Sequence, residues 1–335
     1  FHCFGCGASG SVFDFVMRSR NLSFAEAVQE LAKRFGIPLP KEKETAQARK
    51  IREMAERLRQ VNSIAAEYFS QTLLETDSGE IGREYLQVRG IGEQTIQDFQ
   101  LGYAPKSWDG LRRFLSRKKV DPKVAVQAGL LVQKSGGDSY DRFRHRLMFP
   151  IKDMRGRTVG FGGRALDDSL PKYLNTPETP IFHKGRTLYG LATAREAARK
   201  NNEILVVEGY FDLLALYNQA ICQVVAPLGT ALTHHHVRLL SRLAPRAVLV
   251  FDGDEAGMRA AMRSLEFFLR EKLPVRLLPL PEGMDPDDFV TEKGKEPFMQ
   301  LLSEAKPLME VFLEQALSKY DGSVEGRLAV VRGVT

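Results

Sequence analysis

Cysteine and tryptophan are scarce, at three and one in 335 residues. Cys3, Cys6 and Cys222 are too few and too unevenly placed for a disulfide framework, so the fold must rest on an ordinary apolar core. Cys222 lies in the apolar stretch Ile221 to Ala226 and reads as a small core residue. No run of roughly 18 apolar residues exists, which excludes a membrane-spanning helix. Residues 1–20 carry neither a secretory pattern nor an initiator Met, so the expectation is a piece of a cytosolic protein. A hydrophobic fraction of 43% still suffices for a sizeable core spread over two or three domains.

Charge is present but local. The chain carries a net +6, and the segment Arg142 to Arg186 alone holds ten basic against four acidic side chains. The remainder is therefore neutral. A basic excess confined to one stretch is the electrostatic footprint of a polyanion partner, although a charge run also serves as an ordinary solvated face. Within it, glycines at Gly162, Gly163 and Gly185 permit close backbone approach beside Arg146, Arg164, Lys172 and Lys184.

Two short, β-branched apolar runs, Ile204 to Val207 and Ala247 to Phe251, read as strands of a parallel sheet buried on both faces. Each ends in acid: Glu208-Gly209 after the first, Asp252-Gly253-Asp254 after the second. Helical patterns follow at Tyr210 to Gln219 and Glu255 to Leu269. In open parallel sheets, ligands bind beyond the carboxyl ends of the strands. Glu208, Asp252 and Asp254 are therefore expected at one edge, where mutual repulsion calls for a cation and an all-oxygen set suits Mg²⁺ or Mn²⁺. The alternative makes these acids helix caps and strand-end charges. A third run, Val275 to Leu280, precedes Asp285-Pro286-Asp287-Asp288.

At the start, Cys3 and Cys6 form a Cys-x2-Cys turn, half of a tetrahedral zinc set. A helical pattern runs over residues 12–35 with Ser23 and Glu26 in capping-box spacing. Residues 41–50 read as a linker, and a long amphipathic helix begins at Ile51. Arg89-Gly90-Ile91-Gly92 reads as turn punctuation between two helices, Trp108 as a core-edge aromatic, and residues 147–161 as a strand pair. Residues 291–319 read as mostly helical. His234, His235 and His236 fall in the first turn of a helix after Thr233, where three successive side chains point apart, so all three are expected in solvent.

The strand-end Glu208, the Asp252-x-Asp254 pair and the later Asp285-Pro286-Asp287 together resemble the Toprim domain of bacterial DnaG-type primases. Toprim modules also occur in topoisomerases and nucleases. Gly163-Arg164, Lys172-Tyr173-Leu174-Asn175 and His183-Lys184-Gly185 are similar to the primase core just ahead of its Toprim unit, and that series discriminates. Cys3 and Cys6 resemble the second half of the family's zinc ribbon, whose first half would lie upstream of Phe1.

The resemblance implies an α/β chain: a partial zinc ribbon (1–40), a linker (41–50), an α+β basic subdomain (51–200), a parallel-sheet Toprim subdomain (201–290) and truncated C-terminal helices (291–335). It implies a cytoplasmic, replisome-associated DNA primase that makes short RNA primers on single-stranded DNA from nucleoside triphosphates. Glu208, Asp252 and Asp254 would be catalytic and, with Asp285 and Asp287, would hold magnesium or manganese. Arg146, Arg164, Lys172, Asn175 and Lys184 would bind template and nucleotide. Zinc would belong to the full-length protein, the core would be monomeric, and a DnaB-type helicase would dock on a C-terminal domain beyond Thr335. The rival expectations are a Toprim topoisomerase or nuclease, and a non-catalytic nucleic-acid-binding module.

Overall fold

In a computed structural model that describes residues 1–5, 7–20, 24–37 and 45–318, the chain divides into two units, Phe1–Met54 and Ala55–Thr335. In the first, helices α1 (Val12–Arg20) and α2 (Phe24–Phe35) pack with Ala27, Leu31 and Ala32 buried, and Phe13 meets Phe24 at 5.5 Å. The single helical stretch expected over residues 12–35 is thus two helices, and its expected cap Ser23 lies outside the described residues. Helix α3 (Ala46–Glu75) begins inside the segment read as a linker. Thr45 explains this: its hydroxyl accepts the Ala48 amide, and the Ala, Gln, Arg and Lys that follow are strong helix formers.

The second unit opens with the apolar stripe of α3, Leu58, Ala65, Phe69 and Leu73 all buried. Helices α4 (Glu80–Val88) and α5 (Glu93–Phe99) follow, then β1 (Gly102–Ala104), α6 (Gly110–Arg117) and α7 (Pro122–Gln127). The strands β2 (Leu131–Gln133) and β3 (Ser139–Asp141) pair as a small hairpin. Strands β4 (Arg146–Lys152), β5 (Thr158–Ala165) and β6 (Tyr173–Asn175) complete an antiparallel sheet of order β1-β4-β5-β6. After α8 (Leu191–Asn201) come β7 (Ile204–Val206), α9 (Tyr210–Asn218), β8 (Val224–Val225), α10 (His234–Leu240), β9 (Ala247–Phe251) and α11 (Glu255–Arg270). They are followed by β10 (Val275–Pro279), α12 (Pro286–Lys293), α13 (Lys295–Ser303), β11 (Lys306–Pro307) and α14 (Leu308–Ser318). The second sheet has the order β11-β10-β9-β7-β8 and is parallel except at β11.

The period-2 alternation of its strands divides the core. Ile204, Val206, Ala247 and Leu249 face one side with α8, α10 and α11, while Leu205, Val207, Val248 and Val250 face the other with α9, α12 and α13. That second side also takes Leu147, Phe149 and Ile151 from the antiparallel sheet, so the two sheets share one core.

Three expectations are corrected. Trp108 is 63% exposed rather than at a core edge, and Cys222 is only half-buried. His236 is fully buried: its Nδ1 accepts the Thr233 amide, its own amide donates to the Thr233 hydroxyl, and its Nε2 meets the Lys184 carbonyl at 2.9 Å. The helical-wheel argument keeps the three imidazoles apart, but it cannot see a carbonyl brought in from 52 residues away. Burial holds the His236 pKa below the ordinary imidazole value. The fold therefore binds fewer protons here than the unfolded chain, and this contribution to stability is present at neutral pH and lost as pH falls below about 6.5. His236→Ala should lower stability by about 1–3 kcal/mol, since a buried carbonyl loses its partner. Urea unfolding at pH 7.5 checks the size, and at pH 5.5 the gap from wild type should narrow.

Candidate functional site

The register of the parallel sheet aligns Val206 with Leu249 and Leu278 with Val250, so the three chain turns beyond β7, β9 and β10 leave from one edge. Glu208 stands beyond β7, Asp252 and Asp254 beyond β9, Asp285 and Asp287 beyond β10. Close backbone approach draws the last two turns together. The Gly253 amide donates to the Met284 carbonyl, and a Cβ at Gly253 would lie 2.5 Å from the Pro281 oxygen. Gly257 is equally constrained, 2.5 Å from the Asp252 oxygen.

Capping and clustering coexist here. The Asp254 carboxylate accepts the Gly257 amide at 2.7 Å and caps α11, and the Asp285 carboxylate accepts the Asp288 amide at 2.7 Å and caps α12, with Pro286 at its first position. Glu208 Oε1 accepts the Asp252 amide at 3.3 Å. Each of these carboxylates keeps a second oxygen without a hydrogen bond among the described residues. The cap reading and the ligand reading are therefore compatible, because a cap occupies one oxygen of two.

A sixth acid was missed. Asp212, in the first turn of α9, is nearly buried and accepts the Gly209 amide at 2.7 Å. Burial, then repulsion from Asp285, pushes its pKa up to about 8. Burial and repulsion from Asp252 raise Glu208 as well, and burial with Asp285 raises Asp252. The signal for Asp212 was present as an acid four residues after Glu208, but within a helical run it reads as dipole complementation.

The basic residues separate into two groups. Arg146 is buried, and its Nη1 donates to the carbonyls of Gly163 at 3.1 Å and Lys172 at 3.2 Å. It borders an open cavity of about 360 Å³ with Lys106, Trp108, Arg142, Arg144 and His145. There the Arg144 guanidinium lies 4.2 Å from the Trp108 ring centre and 5.2 Å from that of Tyr140. Arg164 lies instead against Tyr85, Tyr173 and Phe211, donating to the Tyr173 hydroxyl at 2.7 Å. Asn175 uses its amide inside the protein, donating to Leu228 O and accepting from Tyr210. Lys172 is exposed, and the Lys184 amide donates to Glu178. Cys3 is exposed, and Cys6 lies outside the described residues.

The acidic edge suits a hard divalent cation. Its donors are all carboxylate oxygens, and Glu208, Asp212, Asp252, Asp254 and Asp285 make no ion pair among the described residues. No three His, Cys, Asp or Glu side chains among the described residues converge tightly enough to enclose an ion alone. Magnesium does not need such a cage, since it retains waters and binds through one or two carboxylates plus substrate phosphates. A cleft of about 110 Å³ beside Asp252 and Asp254 leaves room for them. For zinc, Cys3 and Cys6 are two of the four ligands a structural site takes.

Comparison with known proteins agrees with this geometry. The family of the DNA primase catalytic core, N-terminal domain, matches residues 68–195, the Toprim-like family residues 205–290, and the CHC2 zinc finger family residues 1–47. Those zinc-finger and Toprim modules imply zinc and magnesium binding in the family. The DNA primase of Pseudomonas aeruginosa is 45% identical over 334 residues, covering 98% of this chain and 50% of that protein. The chain thus spans about half the length of the curated relatives it matches. A crystal structure of a DNA primase domain from Pseudomonas aeruginosa superposes with a TM-score of 0.77 at 45% identity, covering 82% of this chain and 87% of that one. A structure of the DnaG primase catalytic domain bound to ssDNA gives 0.75 at 40% identity, covering 83% and 91%. Among the described residues, no helix is long and apolar enough to cross a membrane. With a strand-end acidic edge, a basic antiparallel sheet sharing its core, and these relatives across nearly its whole length, the chain belongs to the DnaG-type primase family.

Proposed function

We propose that this chain carries the primer-synthesising centre of a DNA primase, joining ribonucleotides on a single-stranded DNA template. The observation that carries the reading is the cluster of carboxylates at the parallel-sheet edge; burial and mutual repulsion raise the pKa values of Glu208, Asp212 and Asp252, and a bound cation offsets that cost. Glu208, Asp252, Asp254, Asp285 and Asp287 would hold magnesium or manganese. Such ions, once bound, lower the pKa of an attacking 3′-hydroxyl and neutralise a departing pyrophosphate.

The protein's own residues do the rest. Arg164, fixed on three rings, and Lys172 and Lys184 present cations to phosphate oxygens. Arg146, committed to two carbonyls, ties β4 to β5 and to the bend at Lys172 just before β6, so its contribution to binding is the shape of the cavity it borders. Trp108 and Arg144 offer a stacking platform within that cavity, and stacking serves any base sequence. The whole protein's zinc ribbon and helicase contact belong to the same reading.

The test is divalent-cation-dependent incorporation of ribonucleotides on single-stranded DNA; no incorporation with either Mg²⁺ or Mn²⁺ sinks it. Two variants separate stacking from charge. Trp108→Ala should weaken single-stranded DNA binding by about 1–3 kcal/mol and leave its salt dependence unchanged. Lys172→Ala should weaken it less but reduce the salt slope by about 0.7. Fluorescence anisotropy over a salt series measures both.

A further inference from the structure

The two acids flanking Pro286 are held differently. Asp285 keeps an oxygen uncommitted, but Asp287 is 5% exposed and its Oδ2 receives the Nη1 of Arg89 at 2.8 Å. Arg89 comes from 198 residues away, just after α4. Its guanidinium lies 5.2 Å from the Phe211 ring centre and 5.8 Å from that of Tyr85, two rings in edge contact with each other. The turn behind it is fastened to the end of α9. The Gly92 amide donates to Asn218 Oδ1 at 2.9 Å, Asn218 Nδ2 donates to the Gly90 carbonyl at 3.0 Å, and the Thr95 hydroxyl donates to the same Oδ1 at 3.0 Å.

Arg89 is therefore a fixed cation rather than a swinging surface charge. Among the described residues it makes the one ion pair to any acid of the edge. It also shares Tyr85 and Phe211 with Arg164, so a single aromatic pair carries a cation committed to the acids and one free for phosphate. A planar guanidinium on rings loses little freedom in holding a carboxylate, which makes it a persistent competitor for that group.

We propose that Arg89 is a positioning residue that competes with the divalent cation for the Asp287 carboxylate and so sets the cation affinity of the acidic edge. This rests on the carboxylates being the cation site. An arriving ion shares Asp287 with a charge that cannot leave, and the edge binds it more weakly than six unopposed carboxylates would. Removing either member of the pair changes the local charge by one unit, in opposite directions.

Calorimetric titration of the whole chain with Mn²⁺, without DNA or nucleotide, tests this. Arg89→Met should tighten Mn²⁺ binding roughly five- to tenfold, the effect of one unit charge close to a divalent ion in a water-like dielectric. Asp287→Asn should weaken it by a similar factor, because Arg89 is left uncompensated, and the double variant should return near wild type. Arg89→Lys keeps the charge and should stay within about twofold. Unchanged or weaker binding by Arg89→Met overturns the proposal, since a plain strut between helices would make both single variants worse. If Arg89→Met does not fold, Arg89→Gln removes the same charge while keeping a polar end, and unchanged or weaker binding there overturns it. Glu208→Gln is the control: if it leaves Mn²⁺ affinity untouched, the cation-site reading itself fails, whereas its loss together with an unresponsive Arg89 sinks only the competition.

Discussion

Glu208→Gln and Asp252→Asn, each alone, are expected to reduce ribonucleotide incorporation by on the order of a thousandfold while changing single-stranded DNA affinity by less than about twofold. Both substitutions keep shape and remove one negative charge at the sheet edge. Neither residue touches the Trp108 cavity. The same variants should be at least as stable as wild type in metal-free buffer, because each removes a carboxylate whose pKa burial and like charge hold up. Incorporation assays, DNA anisotropy and urea unfolding on one preparation check all three. Near-wild-type incorporation by both variants would reduce the acids to caps, and a loss of stability would mean that their carboxylates hold the turn together.

The edge was legible because its signals are local. An apolar run long enough for a buried strand, ending in Glu or in Asp-Gly-Asp, predicts both the parallel sheet and the side of it on which the acids gather. The pair β4–β5 was legible for the same reason, from two apolar runs about the Asp153-Met154-Arg155-Gly156 turn, whereas β1 and β6, which complete that sheet, were not. What escaped depends on pairs distant in sequence. Arg89 read as part of a turn because its partner Asp287 lies 198 residues on. His236 read as solvent-facing because the Lys184 carbonyl arrives from another element. Trp108 read as packing because the polar residues around it could not show that Arg144 would lie on the ring. Asp212 was hidden differently: an acid in the first turn of a helix has an ordinary explanation, and only its burial beside Asp285 makes it unusual.

Asp212 gives a sharp pH signature. With a folded pKa of about 8, against about 3.9 in an unfolded chain, the native state holds one more proton than the unfolded state across that window. Stability of the metal-free protein must then fall as pH rises from about 4 to about 8, at up to about 1.4 kcal/mol per pH unit for this group. Glu208, Asp252 and Asp287 add to the slope with the same sign, since each is also raised. Asp212→Asn imitates the protonated carboxyl and keeps an acceptor for the Gly209 amide. The variant should match wild type only below about pH 4 and become progressively more stable above it, the difference levelling off beyond about pH 8. Cation binding should run the other way. At pH 6.5 wild-type Asp212 is protonated and offers little charge, so the variant should bind Mn²⁺ about as well. At pH 8.5 the wild-type carboxylate is ionised, and the variant should bind roughly tenfold more weakly, the equivalent of one unit charge close to a divalent ion. Urea unfolding and Mn²⁺ titration at both pH values decide it. A metal-free wild type whose stability stays flat from pH 5 to 8, or an Asn variant that follows the wild-type slope, would place the Asp212 pKa back in the ordinary carboxylate range.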